Sequence, residues 1–410
     1  MSQKVVPITE SVSDNYTKKN FSLLMVETGI STFTTSLFTV LILWISISET
    51  KSPLITGVTS AMLVAPLILS IVVGAFIDRA HNKKVFAIFG PVLKALATGI
   101  LLIVIRNNSL ISDSIFLFIS ALAFGFSIDL LVPIRAIWSQ MFLRKPIYLK
   151  GMSVANLVSR TSRLAGFLVA SVLFTINLRT GILIILILYL ISILPILFID
   201  SPKDTAIGKG TLREVMKDGI QYLSKTRVVA EIVFISAFSA LFWGMSDSAS
   251  SVMINKVFDL SSSYLSYTFF VISLGGITGS TLTSKLKSVK NVGKKLPLLY
   301  GLGSLSVLLI AIFPTVYVLL SVFFVIGFLS GITSPLISAV LFGNVPREKM
   351  GRIQGTMDTF GTSFNSVSGI LAGVIMTIMF PGDVFYIMAV GLATLSVIVS
   401  RFKVLSKLNV

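Results

Sequence analysis

Eight ionisable side chains interrupt apolar runs in this chain: the acids Glu27, Asp129, Asp247 and Asp358, and the bases Lys94, Arg135, Arg160 and Arg163. Glu231 is a marginal ninth at a helix end. A charge in a bilayer core costs at least roughly 2.5–3.5 kcal/mol on insertion scales, so residues of this kind are functional candidates by default. Four acids against four bases predict pairing, and the chemistry on offer is proton carriage, binding of charged groups and the making and breaking of ion pairs. Glu27 is the preferred coupling carboxylate. It lies six residues beyond Phe21, roughly 9 Å deep at 1.5 Å per residue, among Thr28, Ser31, Thr32, Thr34 and Thr35. A carboxyl desolvated there can alternate between a proton and a cationic substrate. The competing reading is a salt bridge to a basic residue that only holds the helices together.

Arg160 and Arg163 are three residues apart and share a helix face. Asp129, on the preceding apolar run, is expected to be their partner, with a structural role first and gating second. Lys94, near the middle of its run, is read as structural. Arg135 completes the expected intramembrane charge network. Downstream, Trp243 and Asp247 in Trp243-Gly244-Met245-Ser246-Asp247-Ser248, and Asp358 with Asn365, suit a cavity wall that meets substrate, and Trp243 fits an interfacial belt equally well.

Other chemistries are excluded by composition. There is no cysteine and a single histidine, His81, so thiolate nucleophiles, disulfides, iron–sulfur clusters and multi-histidine metal or haem sites are absent. No G-x-x-x-x-G-K-[ST] string occurs, Gly208-Lys209-Gly210-Thr211 being the nearest, which argues against ATP-driven pumping. No nucleophile and base set for an intramembrane enzyme is visible. The expectation is a non-enzyme with no metal and no cofactor.

The elements that must position these groups are membrane helices. Of 410 residues, 54% are hydrophobic and 12% charged, and the mean hydropathy is +0.93, whereas soluble domains carry about 25% charged residues. Apolar runs long enough to cross a bilayer fall near residues 20–47, 53–77, 85–105, 114–142, 151–176, 180–199, 228–250, 263–283, 297–313, 316–342, 353–380 and 384–400. The first begins too late and runs too long for a cleaved signal peptide. Twelve spans put both termini on one side. With that side cytoplasmic, the inside segments hold 26 Lys and Arg and the outside loops only Lys51, Arg106, Arg179 and Lys256. The positive-inside rule then sets the orientation. The net charge of +17 is thus a topological signal and an affinity for anionic lipid head groups, not a nucleic-acid surface.

The two halves repeat a pattern. Gly125 and Pro133 recur as Gly327 and Pro335 at an offset of 202; Gly74 finds Gly279, Gly151 finds Gly351 and Gly166 finds Gly369 at offsets of 200 to 205. The expected fold is an all-α membrane protein of twelve helices in two pseudo-symmetric six-helix bundles, with substrate handled between them. Residues 1–19 form a cytoplasmic tail, 20–200 the first bundle, 201–227 a linker with a surface helix, 228–400 the second bundle and 401–410 a second tail. Asn15-Tyr16-Thr17 matches a glycosylation sequon but falls in the tail, which discounts it.

Between the second and third spans the chain reads Gly74-Ala75-Phe76-Ile77-Asp78-Arg79-Ala80-His81-Asn82-Lys83-Lys84, which resembles the G-x-x-x-D-R-x-x-R/K-R/K signature of the major facilitator superfamily. That loop, the Gly125 to Pro133 segment, Lys217-Asp218-Gly219-Ile220-Gln221-Tyr222-Leu223 and Val345-Pro346-Arg347-Glu348-Lys349-Met350-Gly351-Arg352 together resemble the drug and siderophore exporters typified by macrolide efflux permeases and enterobactin exporters. Where antiporters often carry Gly-Pro flanked by glycines, this chain has Ala165-Gly166-Phe167-Leu168-Val169-Ala170. The resemblance implies that span one lines a central cavity, that Asp78 latches the bundles in the outward-facing state, and that Gly74, Arg79, Lys83 and Lys84 build that gating loop on the cytoplasmic side. It implies a monomeric, multi-pass plasma-membrane protein that exports a small amphipathic, drug-like or siderophore-like molecule by alternating access in exchange for protons, as in multidrug antiport. Uptake or facilitated transport, and a non-transporting lipid-handling or sensor protein, are the alternatives.

Overall fold

The computed structural model describes residues 14–80, 82–106, 109–143, 148–200, 226–285, 292–345 and 347–402. His81, most of the linker with its expected surface helix, and most of both tails lie outside the described residues, as do the side chains of Asp78 and Arg79.

Every regular element among the described residues is helical. The first half comprises α1 (Asp14–Thr50), α2 (Pro53–Val64), a 3-10 turn (Ala65–Leu69), α3 (Ser70–Arg79), α4 (Lys83–Arg106), α5 (Leu110–Phe142), α6 (Tyr148–Ile176), α7 (Leu178–Ile191) and α8 (Ile193–Phe198). The second comprises α9 (Arg227–Trp243), α10 (Met245–Val252), a π-helical turn (Met253–Val257), α11 (Ser262–Ser284), α12 (Val292–Ile312), α13 (Val316–Asn344), α14 (Arg347–Ile378) and α15 (Asp383–Ser400).

Eleven of the helical segments among the described residues are long and apolar enough to cross a membrane. The twelfth expected span, residues 53–77, is not one continuous helix. Pro66 has no N–H to give and its ring crowds the preceding turn, so the chain tightens to 3-10 geometry there before α3 resumes. The seventh span, expected to end near residue 250, reaches Val257 and is broken at Gly244. Its neighbour requires a glycine there: a β-carbon at position 244 would collide with the Ser368 hydroxyl on α14.

Turns between spans follow local chemistry. After α1, Lys51 adopts a left-handed φ of 51°, Ser52 accepts a hydrogen bond from Ile55 N–H at 3.3 Å as the cap of α2, and Pro53 occupies the first turn. Asn177 caps α7 through Arg179 N–H and Thr180 N–H. On the face where α1 begins, the first half is clasped shut. Asn20 bonds both the N–H and the carbonyl of Asp200, Lys19 pairs with the Asp200 carboxylate at 3.2 Å, and Lys84 donates to the Leu197 and Ile199 carbonyls at the end of α8.

Within the first half α1 packs against α5 and α6, and α4 against α5 and α7; within the second, α11 packs against α13, α12 against α15, and α9 against α14. The halves meet along two seams, α2 on α14 and α6 on α11. One repeat expectation reappears as equivalent geometry. A β-carbon at Gly125 would strike the Leu63 carbonyl oxygen of α2, and one at Gly327 the Ile272 carbonyl oxygen of α11. Each glycine lets one helix lie directly on the next helix's backbone, at the same place in its half. Two other glycine pairs do not match in this way. Gly166 faces Phe33 on α1 whereas Gly369 faces Gly57 and Ala61 across the seam, and Gly74 borders open space whereas Gly279 lies on the Phe328 backbone.

Candidate functional site

Among the described residues, intramembrane charge gathers where α1, α4, α5 and α7 converge inside the first half. On α1, Glu27, Ser31 and Thr35 recur every four residues and share a face. Glu27 is only 1% exposed. Arg135 of α5 grips it with two hydrogen bonds, Nε to Oε2 at 2.9 Å and Nη2 to Oε1 at 2.6 Å. This fork is the strong, directional form of a carboxylate–guanidinium pair. The Thr28 hydroxyl lies 3.5 Å from Oε2.

One turn further along α1, Lys94 reaches in from α4. Its Nζ donates to Ser31 Oγ at 3.2 Å and to Thr35 Oγ1 at 3.3 Å. It stands 5.6 Å from the ring centres of both Phe124 on α5 and Tyr189 on α7. Phe124 in turn stacks on Phe38 of α1 at 4.0 Å. Two aromatic faces attract an ammonium by their quadrupoles, by about 2 kcal/mol or more once water is excluded. Lys94 is 2% exposed and makes no ion pair among the described residues; the charges that act on it are Arg135 and Glu27. Two basic groups, Lys94 buried and Arg135 half-buried, therefore share one buried carboxylate.

The structure divides the charge network expected from sequence. Asp129 is not the partner of Arg160 and Arg163. It lies buried on α5, near Ser70 at the start of α3, with its Oδ2 unpartnered among the described residues. The physical reason is helix order: α5 packs on α1, α2, α3 and α4, whereas α6 packs on α1 and α11, so the acid and the two arginines face different neighbours. Arg160 instead crosses to the second half and donates to Ser280 Oγ on α11 at 3.1 Å. Of the acids and bases expected to pair, Glu27 and Arg135 do so, and Glu231 pairs locally with Arg227 at 3.3 Å.

In the second half, α10 follows the Gly244 break and contacts α1, α2 and α14. Its serines return their hydroxyl protons to backbone carbonyls one turn back: Ser246 to Trp243, Ser248 to Met245, Ser250 to Asp247 and Ser251 to Ser248. Asp247 is half-buried on the same helix and its carboxylate has no hydrogen bond or ion pair among the described residues. Asn365 packs on Gly244, between Trp243 and Asp247 in the chain. The Trp243 ring lies toward Gly303 on α12. Asp358 on α14 is exposed and engaged in an interaction.

In the expected gating loop, Lys83 is buried and bonds the Ala80 carbonyl, while Lys84 caps α8 as described. Among the described residues no three His, Cys, Asp or Glu side chains gather to ligate a metal. Sequence reading did not find the Phe124 and Tyr189 cage around Lys94, because aromatic residues on helices far apart in the chain carry no local signal. The Glu27, Ser31, Thr35 stripe was legible as a four-residue period.

The sequence matches the family model for the Major Facilitator Superfamily over residues 24–369. No curated protein matches the chain. Among solved structures, the nucleoside transporter NupG superposes with a TM-score of 0.73 at 13% identity, covering 93% of this chain and 98% of that one. A POT family transporter in complex with 5-aminolevulinic acid gives 0.71 at 13% identity, covering 92% and 94%. The human organic anion transporter MFSD10 (TETRAN) gives 0.63 at 14% identity, covering 93% and 99%. At these identities the likeness is one of fold.

Proposed function

The chain belongs to the major facilitator superfamily, and from that footing we propose that it is a proton-coupled secondary transporter that exports a small amphipathic molecule across the plasma membrane. Residues 20–200 and 228–400 act as two bodies that rock about a central site, with both termini on the cytoplasmic side. The observation that carries the coupling is the buried Glu27–Arg135 fork beside Lys94.

The chemistry follows from charge. With Glu27 ionised, one carboxylate offsets two cations, buried Lys94 and half-buried Arg135, and α1 is bound to α5 through the fork and to α4 through Ser31 and Thr35. A proton on Glu27 removes the counter-charge that faces Lys94 and Arg135 and leaves them repelling each other in low dielectric. That repulsion loosens α1 from α5. Because α1 also touches α10 and α11 of the second half, a shift of α1 is felt where the halves meet. Proton entry and substrate movement are then two loads on one helix, which is the requirement for coupling.

The tight α2–α14 seam supports alternation between two packed states. A β-carbon at Gly57 would collide with the Gly369 carbonyl oxygen and come within 2.7 Å of Gly373 Cα. Backbone laid on backbone is shape-specific, so the seam is either closed or parted. Export is the direction supported by the resemblance of the Gly74 to Lys84 loop and its companion stretches to drug and siderophore exporters. Facilitated transport is the alternative favoured by the fork itself, since a carboxylate held by two hydrogen bonds can serve as architecture alone.

Reconstitution into proteoliposomes with an imposed proton gradient, screened over a compound panel, tests the proposal. Accumulation that requires the gradient supports coupling; equilibration at the same rate without one supports facilitated transport.

A further inference from the structure

Resting on the transporter reading, we propose that the Arg160–Arg163 pair on α6 is an anion-binding subsite at the seam between the halves, and that the transported molecule carries a carboxylate- or phosphate-like group that docks there. The placement comes from one stripe of α6. Arg160, Arg163, Phe167 and Ser171 stand at intervals of three, four and four residues, which keeps them on a single helix face. Three of them touch α11 in antiparallel order: Arg160 donates to Ser280, Phe167 stacks on Phe269 at 5.3 Å, and the Ser171 carbonyl accepts from Ser263 Oγ. Arg163 stands between the first two contacts on that face, level with the stretch of α11 between Phe269 and Ser280. That stretch carries Ser273, a small polar side chain, and Gly276, whose backbone lies against Gly327 and Gly331 of α13.

Arg163 has no hydrogen bond and no ion pair among the described residues, and Arg160 has only a neutral hydroxyl there. Their charges act on each other. Both side chains are exposed and so open to a ligand, and two like charges one turn apart on a membrane-spanning helix are relieved by an anion that joins them. Asp129, the acid expected to do so, lies by Ser70 of α3 instead. A guanidinium pair offers parallel N–H donors of the geometry that carboxylates and phosphates accept. The Phe167–Phe269 stack beside it supplies an apolar wall for the remainder of an amphipathic molecule.

The test uses the full chain purified in detergent and titrated at constant ionic strength with naphthalene-2-carboxylate, with inorganic phosphate and with the uncharged naphthalene-2-carboxamide, reading the thermal midpoint. The wild-type midpoint should rise with at least one of the two anions and not with the amide. Arg163→Gln should weaken the apparent affinity roughly tenfold or more, the loss of one charge-assisted interaction, while Arg163→Lys keeps part of it. A second arm measures anionic phospholipid retained by wild type and Arg163→Gln in mass spectra; equal retention assigns the site to a soluble solute, and loss confined to the lipid assigns the anion to a head group. No anion-dependent shift in wild type, or an identical shift in Arg163→Gln, overturns the subsite. Transport is scored separately in proteoliposomes: anion binding without transport of any compound retains the subsite and rejects the transporter reading, whereas transport confined to neutral or cationic compounds and unchanged in Arg163→Gln rejects the docking of the transported molecule at this pair.

Discussion

Arg135 Nη2 meets Glu27 Oε1 at 2.6 Å while its Nε meets Oε2 at 2.9 Å, so a single arginine on α5 holds both oxygens of the acid on α1. The pair is separated by 108 residues of chain, with Glu27 buried and Arg135 half-buried in the first half. Removing one partner strands the other in low dielectric, whereas removing both takes away cost and gain together.

A double-mutant cycle on this pair should therefore be strongly non-additive. Glu27→Ala and Arg135→Ala should each destabilise by about 3–5 kcal/mol, and the double variant by clearly less than the sum, with a coupling of at least about 1 kcal/mol. Thermal or denaturant unfolding in detergent checks this. Additivity within about 0.5 kcal/mol would mean that the fork contributes nothing to stability.

Much of this was open to sequence reading, and the part that was not has a physical reason. Eleven long apolar helices stand close to where hydropathy places them, because span length is a one-dimensional constraint of the bilayer. The break in the second span follows from Pro66, a local signal present in the sequence. Pairing is different. Asp129 and Arg135 are six residues apart on one helix, about 240° around its axis at 3.6 residues per turn, so they address different neighbours. Which neighbour each meets depends on helix order in three dimensions, and that put Asp129 against Ser70 and Arg135 against Glu27. Periodicity had placed Glu27, Ser31 and Thr35 on one face but had no means to deliver Lys94 to them.

Lys94 tests how the cluster tolerates its second cation. Lys94→Met keeps the volume and removes a buried charge without an ion-pair partner among the described residues, so the thermal midpoint should stay level or rise. Lys94→Ala should lower stability by about 2–5 kcal/mol, because a cavity opens between the Phe124 and Tyr189 rings. A fall in Lys94→Met as large as that in Lys94→Ala would show that the ammonium, and not the space it fills, holds the helices.

The α2–α14 seam makes a prediction about conformational balance. Gly57→Val places carbon where Gly369 and Gly373 now lie, so the seam should be unable to close. Because the chain has no cysteine, a single Ala61→Cys reporter can be labelled with a water-soluble maleimide. Labelling should be faster in the Gly57→Val background by roughly tenfold, the effect of about 1.4 kcal/mol on the open population. Equal rates in both backgrounds, with both proteins folded, would show that the seam does not part at this position.

The most direct measurement for the account as a whole is gradient-driven transport by Glu27→Gln, which imitates a permanently protonated acid while keeping its shape. Wild type should accumulate substrate against a gradient when a proton gradient is imposed, and lose that ability when the gradient is collapsed. Glu27→Gln should fail to accumulate at any imposed gradient yet retain exchange of substrate between equal compartments, since the two states still interconvert. Full accumulation by Glu27→Gln with the pH dependence of wild type would contradict proton coupling at this carboxylate and leave the fork with Arg135 as architecture alone.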